Sequence, residues 1–181
     1  MSPTPRSAPC FLLIEDDDDH AVLIERTLAQ QDAPPEVHRV ADGEAALRLL
    51  MGDSPESPDE ATAEQTADTS AEAAAPASCW TADTRDGDRT LRPDVILLDL
   101  NIPKFSGHEV LAQVKSAARL RSIPVVVLTS SNAAVDRERA YAQHANSFLV
   151  KPVDFTGFRT LIADLYHYWI RRNERPPARP A

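Results

Sequence analysis

The sequence predicts an α/β fold, a doubly wound parallel sheet in which five strands are each followed by a helix. Three observations carry that prediction. Short apolar runs recur at residues 11–14, 95–98, 125–128 and 148–150, helical apolar spacing lies between them, and each run ends in a polar residue. Runs of this kind read as strands buried on both faces, and in open α/β sheets the ligand site lies beyond the carboxyl ends of such strands. Glu15-Asp16, Asp99, Thr129-Ser130 and Lys151-Pro152 follow the four runs. They are therefore expected to converge on one cleft.

The elements follow in order. Ala21, Val22, Leu23, Ile24 and Leu28 hold helical spacing behind a start rich in carboxylates, where a helix dipole favours negative charge. Ala33-Pro34-Pro35 ends that helix, residues 37–40 form a short alternating strand, and Asp42-Gly43 opens a second helix carrying Ala46, Leu47, Leu49 and Leu50. After the third strand, at residues 95–98, residues 107–114 form the third helix, with Val110, Leu111 and Val114 on one face. Pro124 opens the fourth strand. Residues 133–144 form a polar fourth helix with a narrow apolar stripe, expected to be the most mobile. The fifth strand is 147–150, and Asp154 caps a fifth helix carrying Phe158, Leu161, Ile162, Leu165, Trp169 and Ile170.

Residues 51–92 break the pattern. They hold ten acids against three arginines, a balance of 3 − 10 = −7 within a chain total of −9 over 181 residues. With little to bury, this acidic low-complexity segment is expected to be a disordered insertion inside a single domain spanning 10–170. Residues 1–9 and the Arg- and Pro-rich 171–181 are expected to be flexible tails. The negative balance argues against a nucleic-acid surface, and no apolar run approaches the roughly 18 residues of a membrane span. Cys10 and Cys79 stand alone, without a CxxC or ligand-like neighbour, which fits a reduced cytoplasm.

A carboxylate pair, a lone aspartate, a hydroxyl and an amine at adjacent strand ends can hold a divalent ion and a phosphoryl group. Asp16 and Asp99 are hard oxygen ligands suited to Mg²⁺, with Glu15 acting through water. Three carboxylates together repel one another, so metal binding is expected to be coupled to their charge. Asp99 is the expected nucleophile, forming an acyl phosphate by in-line attack, with Lys151 and Thr129 taking phosphoryl oxygens. Singly, each residue reads as a cap, a turn or a surface charge; their joint order carries the argument. His20 and His144 read as solvated helix-end residues without a role.

With these residues in hand, the chain resembles the receiver domains of bacterial two-component response regulators. The resemblance implies a (βα)5 flavodoxin-like sheet of strand order 2-1-3-4-5. It implies an acidic pair at Glu15-Asp16, a phosphoacceptor at Asp99 and a metal-binding main-chain carbonyl at Asn101. It also implies a switch hydroxyl at Thr129 and a lysine, Lys151, before a cis proline, Pro152. The stretches 99–104, 125–131 and 149–155, with Trp169, are similar to those of small single-domain regulators paired with bacterial phytochrome histidine kinases. The family departs from this chain at Asp17, where asparagine is usual, at Asp18, where proline is usual, and at Ser106, where many members have aspartate. None of these removes a site residue.

The resemblance further implies that Thr129 moves toward a bound phosphoryl group while the aromatic Phe148 turns inward. Burial of Phe148 is worth on the order of 1.5–3 kcal/mol, enough to shift a two-state population. The fourth helix, fifth strand and fifth helix are then the output face. Tyr166, Tyr168, Trp169 and Ile170 look like surplus aromatic surface there, so a homodimer through this face is expected, beside a histidine kinase partner. With only about eleven residues after the fifth helix, no covalent output domain is expected, and the chain signals or acts as a phosphate sink rather than as an enzyme. Two alternatives are weighed. A haloacid-dehalogenase-like phosphatase needs a second acid where Asn101 stands, and a pseudoreceiver interaction module predicts the loss of a site residue.

Overall fold

The computed structural model describes residues 8–52, 79–82 and 89–174. In chain order the elements are β1 (Cys10–Ile14), α1 (Asp18–Ala29), β2 (Glu36–Val40), α2 (Gly43–Met51), β3 (Trp80–Ala82), β4 (Arg89–Leu91) and β5 (Val95–Leu98). Then follow α3 (Gly107–Ser116), β6 (Val125–Thr129), α4 (Ala134–Ala142), β7 (Ser147–Val150) and α5 (Phe155–Tyr166), which continues into a π-helical end, His167–Arg172. Five strands form one parallel sheet, ordered β2-β1-β5-β6-β7. Ranked along the chain, this is the expected order 2-1-3-4-5.

Alternation along the strands divides the core in two. Leu12, Ile14, Ile96, Leu98, Val125 and Val127 face one way, against Leu47 and Leu50 of α2 and Val110, Leu111 and Val114 of α3. Phe11, Leu13, Val95, Leu97, Val126 and Leu128 face the other, against Ile24 and Leu28 of α1 and Phe158, Ile162 and Leu165 of α5. At roughly 1.5–3 kcal/mol for each large apolar side chain buried, these layers supply the main driving force for folding. Among the described residues the buried polar side chains are Glu15, Thr27, Thr90, Asp99, His108, Thr129 and Lys151, four of which stand at the carboxyl ends of the sheet strands.

Helix starts follow the capping residues. Asp17, Asp42, Ser106 and Asp154 each accept a backbone N–H of the first turn of α1, α2, α3 and α5, and Ser106 with Glu109 completes a capping box. In α4 no side chain caps the first turn, and Ala140 alone is buried. Asp17 and Ser106, two of the departures from the family pattern, are thus helix caps. The third, Asp18, pairs with Arg39 of β2 at 2.6 Å.

Several expectations are corrected. The insertion is not wholly without structure, because β3 and β4 pair as an antiparallel hairpin and Cys79 and Leu91 are buried in the α2/α3 core. These are among the few groups in the segment able to return apolar burial for the entropy of ordering. Residues 53–78 and 83–88 lie outside the described residues, as do 1–7 and 175–181. The expected surplus of aromatic surface is smaller than the sequence implied. Tyr166 is fully buried, its hydroxyl donating to Ala33 O at 2.7 Å, and Trp169 and Ile170 pack against the α1/α5 core, while Tyr168 stays exposed. The last helical turn reaches Arg172, into the expected tail. The peptide before Pro152 is trans, since the described residues include no cis bond; before proline the two isomers differ by only about 0.5–1 kcal/mol. No helix among the described residues is long and apolar enough to cross a membrane.

Candidate functional site

Each group of the site is delivered by a strand end. The ladder between β1 and β5 extends one step beyond the strands, with Asp99 N donating to Ile14 O at 3.0 Å, which sets Asp99 beside Glu15. Glu15 N donates to Val40 O at 3.0 Å, anchoring that residue to β2. On the other side, Lys151 N donates to Thr129 O at 2.8 Å and carries the lysine past the end of β7. Backbone pairing therefore fixes where the side chains begin.

The side chains then meet. Lys151 Nζ lies 2.6 Å from both Glu15 Oε2 and Asp99 Oδ2, and all three residues are buried. The second Asp99 oxygen, Oδ1, accepts the Asn101 N–H at 3.1 Å. Thr129, fully buried at the end of β6, holds its hydroxyl oxygen under the Ser131 N–H at 3.2 Å. Asp16 is exposed, and a carboxylate oxygen from each of Glu15, Asp16 and Asp99 falls within one 4.8 Å cluster. Charge-assisted bonds this short, sheltered from water, make the cluster rigid.

Burial pushes the Glu15 carboxyl above its ordinary value and the neighbouring Asp99 charge adds to this, while the bond to Lys151 pulls the other way. Its second oxygen, Oε1, is buried and accepts no hydrogen bond among the described residues. A dication fits such a place. Hard carboxylate donors suit Mg²⁺, and an orphaned buried oxygen is the kind of atom that an ion satisfies.

Two contributors were not legible as site residues. His20, read from sequence as solvated, faces the cluster. Its Nδ1 lies 3.2 Å from Lys151 Nζ and 3.7 Å from Glu15 Oε1, and its ring meets Phe158 edge-on. Its placement in the first turn of α1, four residues after Asp16, was the available signal. Gly107 starts α3 pressed on the loop that bears Asp99, and a Cβ there would lie 2.2 Å from Asp99 O and 2.6 Å from Leu100 Cα. Any side chain at 107 would displace that loop.

A family model described as the response regulator receiver domain matches residues 64–163, a span containing Asp99, Thr129 and Lys151. The chain belongs to the response regulator receiver family. It is a signalling protein rather than a conventional enzyme, of a family whose members pair with histidine kinases and bind Mg²⁺. Among its relatives is a probable methanogenesis regulatory protein, FilR2, of Methanothrix harundinacea, 34% identical over 92% of this chain and 86% of that protein. The response regulator Rcp1 of Synechocystis is 39% identical over 48% of this chain and 59% of its own length. The crystal structure of the phosphorylated cyanobacterial phytochrome response regulator RcpA superposes with a TM-score of 0.73 at 29% identity, covering 94% of this chain and 99% of that one. The Mn²⁺-bound form of Rcp1 gives 0.71 at 27% identity, covering 93% and 99%.

Proposed function

We propose that this receiver accepts a phosphoryl group on Asp99 from a histidine kinase in a Mg²⁺-dependent reaction, and signals through the face formed by α4, β7 and α5 or acts as a phosphate sink. The observation that carries this reading is the placement of one buried ammonium, Lys151, 2.6 Å from both Glu15 and Asp99. An Asp99 oxygen forms the new O–P bond as the P–N bond to the donor imidazole breaks and its electron pair leaves with the nitrogen. Lys151 turns from Asp99 toward a phosphoryl oxygen, and the Thr129 hydroxyl takes another. Glu15, Asp16, Asp99 and the Asn101 carbonyl are the groups proposed to hold Mg²⁺. Bound there, the ion would neutralise charge developing on the phosphoryl oxygens.

Thr129 and the half-buried Phe148, packed against the α2/α3 core, are proposed as the switch pair, and α4, β7 and α5 as the output face. Val135, Tyr141, Val153, Phe155 and Tyr168, exposed on or beside these elements, suit a homodimer, which sedimentation with and without beryllofluoride would test. A bacterial phytochrome is the proposed class of kinase, supported by the likeness to RcpA and Rcp1. Phosphotransfer from a purified phytochrome kinase tests that pairing. The central experiment is intact mass after incubation with acetyl phosphate and Mg²⁺. One added phosphoryl group, absent in Asp99→Asn and in EDTA, is the expected result; no adduct together with no beryllofluoride binding would overturn the reading.

A further inference from the structure

The opposite end of the sheet carries a second cluster of ligating groups. Register places Glu36 beside Cys10 and His38 beside Leu12 across the β1–β2 pair, so Cys10, Glu36 and His38 share the α2/α3 face at the amino-terminal end of the strands. The β3–β4 hairpin brings the fourth group, with Arg92 N donating to Cys79 O at 2.8 Å and Leu91 buried beside it. As a result one thiol sulfur from each of Cys10 and Cys79 and a ring nitrogen of His38 lie within 4.8 Å of one another. Glu36 lies in the same cluster, its Oε2 accepting from Cys79 Sγ at 3.3 Å and its Oε1 2.8 Å from His38 Nε2, a buried nitrogen that makes no hydrogen bond among the described residues.

We propose that Cys10, His38 and Cys79, completed by Glu36, form a structural Zn²⁺ site that ties the returning end of the insertion to β1 and β2. The donor set selects the metal. Thiolate and imidazole favour zinc over the hard Mg²⁺, which suits the all-oxygen cluster at the other end. The dimensions also fit. Zn–S near 2.3 Å and Zn–N near 2.0 Å place tetrahedral ligands roughly 3.5–3.8 Å apart, so donors already inside 4.8 Å close by at most about 1.3 Å.

Surroundings prepare the ligands. The Cys10 backbone is held on both sides by Asp94, its N–H donating to Asp94 Oδ2 and its carbonyl accepting Asp94 N–H, each at 2.8 Å. Burial, then the neighbouring Cys79 and the acids Asp94 and Glu36, hold the Cys10 thiol protonated far above its ordinary range. A dication reverses that preference, because the thiolate is the ligand form. Two thiol protons leave as the ion enters, so local charge is unchanged and affinity rises with pH. Glu36, set against both His38 and Cys79, supports the two ligands, and its loss is expected to weaken binding about 10–100-fold.

The test is metal analysis of the full chain, reduced, loaded with excess Zn²⁺ and dialysed, beside Cys79→Ser, His38→Gln and Glu36→Gln. The wild type is expected to retain one equivalent of zinc. The first two variants are expected to lose it and the third to bind it about 10–100-fold more weakly. Substitution of wild type with Co²⁺ gives a thiolate charge-transfer band and tetrahedral d–d absorption, a readout that stands even where a variant fails to fold. Absence of retained zinc and of that cobalt spectrum in reduced wild type overturns the site. Undiminished zinc in a folded Cys79→Ser, or a Cys10–Cys79 disulfide that persists when metal is offered under reducing conditions, overturns it equally.

Discussion

The two ends of the sheet were assembled in different ways. At the carboxyl ends, Glu15, Asp16, Asp99, Asn101, Thr129 and Lys151 all lie within three residues of a strand terminus, so parallel pairing alone brings them together. At the amino-terminal end, Cys10 opens β1, His38 lies in mid-β2, and Cys79 arrives from a hairpin at the end of a long insertion. A site of the first kind is specified by the order of the elements. One of the second kind is specified only by register and by a tertiary contact.

The two ends are expected to separate most clearly in a crossed experiment. Asp99→Asn is expected to abolish phosphoryl uptake while leaving zinc retention intact, and Cys79→Ser to do the reverse, as read by intact mass and metal analysis on the same preparations. Loss of both functions in either single variant would mean that the ends are not independent. The next largest effect belongs to Lys151→Ala in EDTA. Removing the ammonium leaves Glu15 and Asp99 facing one another, a loss of about 3–5 kcal/mol for breaking a buried ionic cluster, measured by urea unfolding.

Titration separates the ends by sign. At the carboxyl end, the Glu15 value is raised in the folded chain, so the folded state holds that proton more tightly than the unfolded one. This stabilisation is complete below the ordinary value of 4.5 and is lost as pH rises through the raised value. In EDTA, stability is therefore expected to fall with pH across that window, and Glu15→Gln to flatten the slope. At the other end, Lys115 Nζ donates to Ile123 O at 2.7 Å and Asn146 Oδ1 at 2.8 Å, and burial pushes its value down to about 8 from 10.5. Here the unfolded state binds more protons, so stability rises between pH 8 and 10.5 and Lys115→Met removes the rise. Urea midpoints over both ranges check the two slopes.

The smallest effect is Tyr166→Phe. It deletes only the bond to Ala33 O beneath the α1–β2 connection and is expected to cost about 0.5–1.5 kcal/mol, without changing phosphoryl uptake or zinc retention.

Strand runs, capping aspartates and the polar residue after each strand were legible because each is a local signal whose consequence is also local. Asp154 at the start of α5 and Lys151 at the end of β7 lie where the pattern placed them. His20 was missed because its partners, Lys151 and Glu15, are set by how α1 packs over the sheet, which its polar neighbours do not disclose. Tyr166 looked like spare surface because a helix's buried arc cannot be measured without its neighbours, and here Ala33 of a distant turn receives its hydroxyl. Cys10 and Cys79 carried no spacing signal, since the ligands join through the register of β1 on β2 and through the hairpin. The hairpin was hidden by the composition of the segment around it.

The Lys151 side chain, anchored by Glu15, Asp99 and His20, has a thermodynamic corollary. A free lysine carries about 2 kcal/mol of rotamer entropy. In this protein that freedom is surrendered when the chain folds. An ammonium already ordered would lose little further entropy in the proposed phosphoryl transfer to Asp99, which exchanges one set of short charged contacts for another.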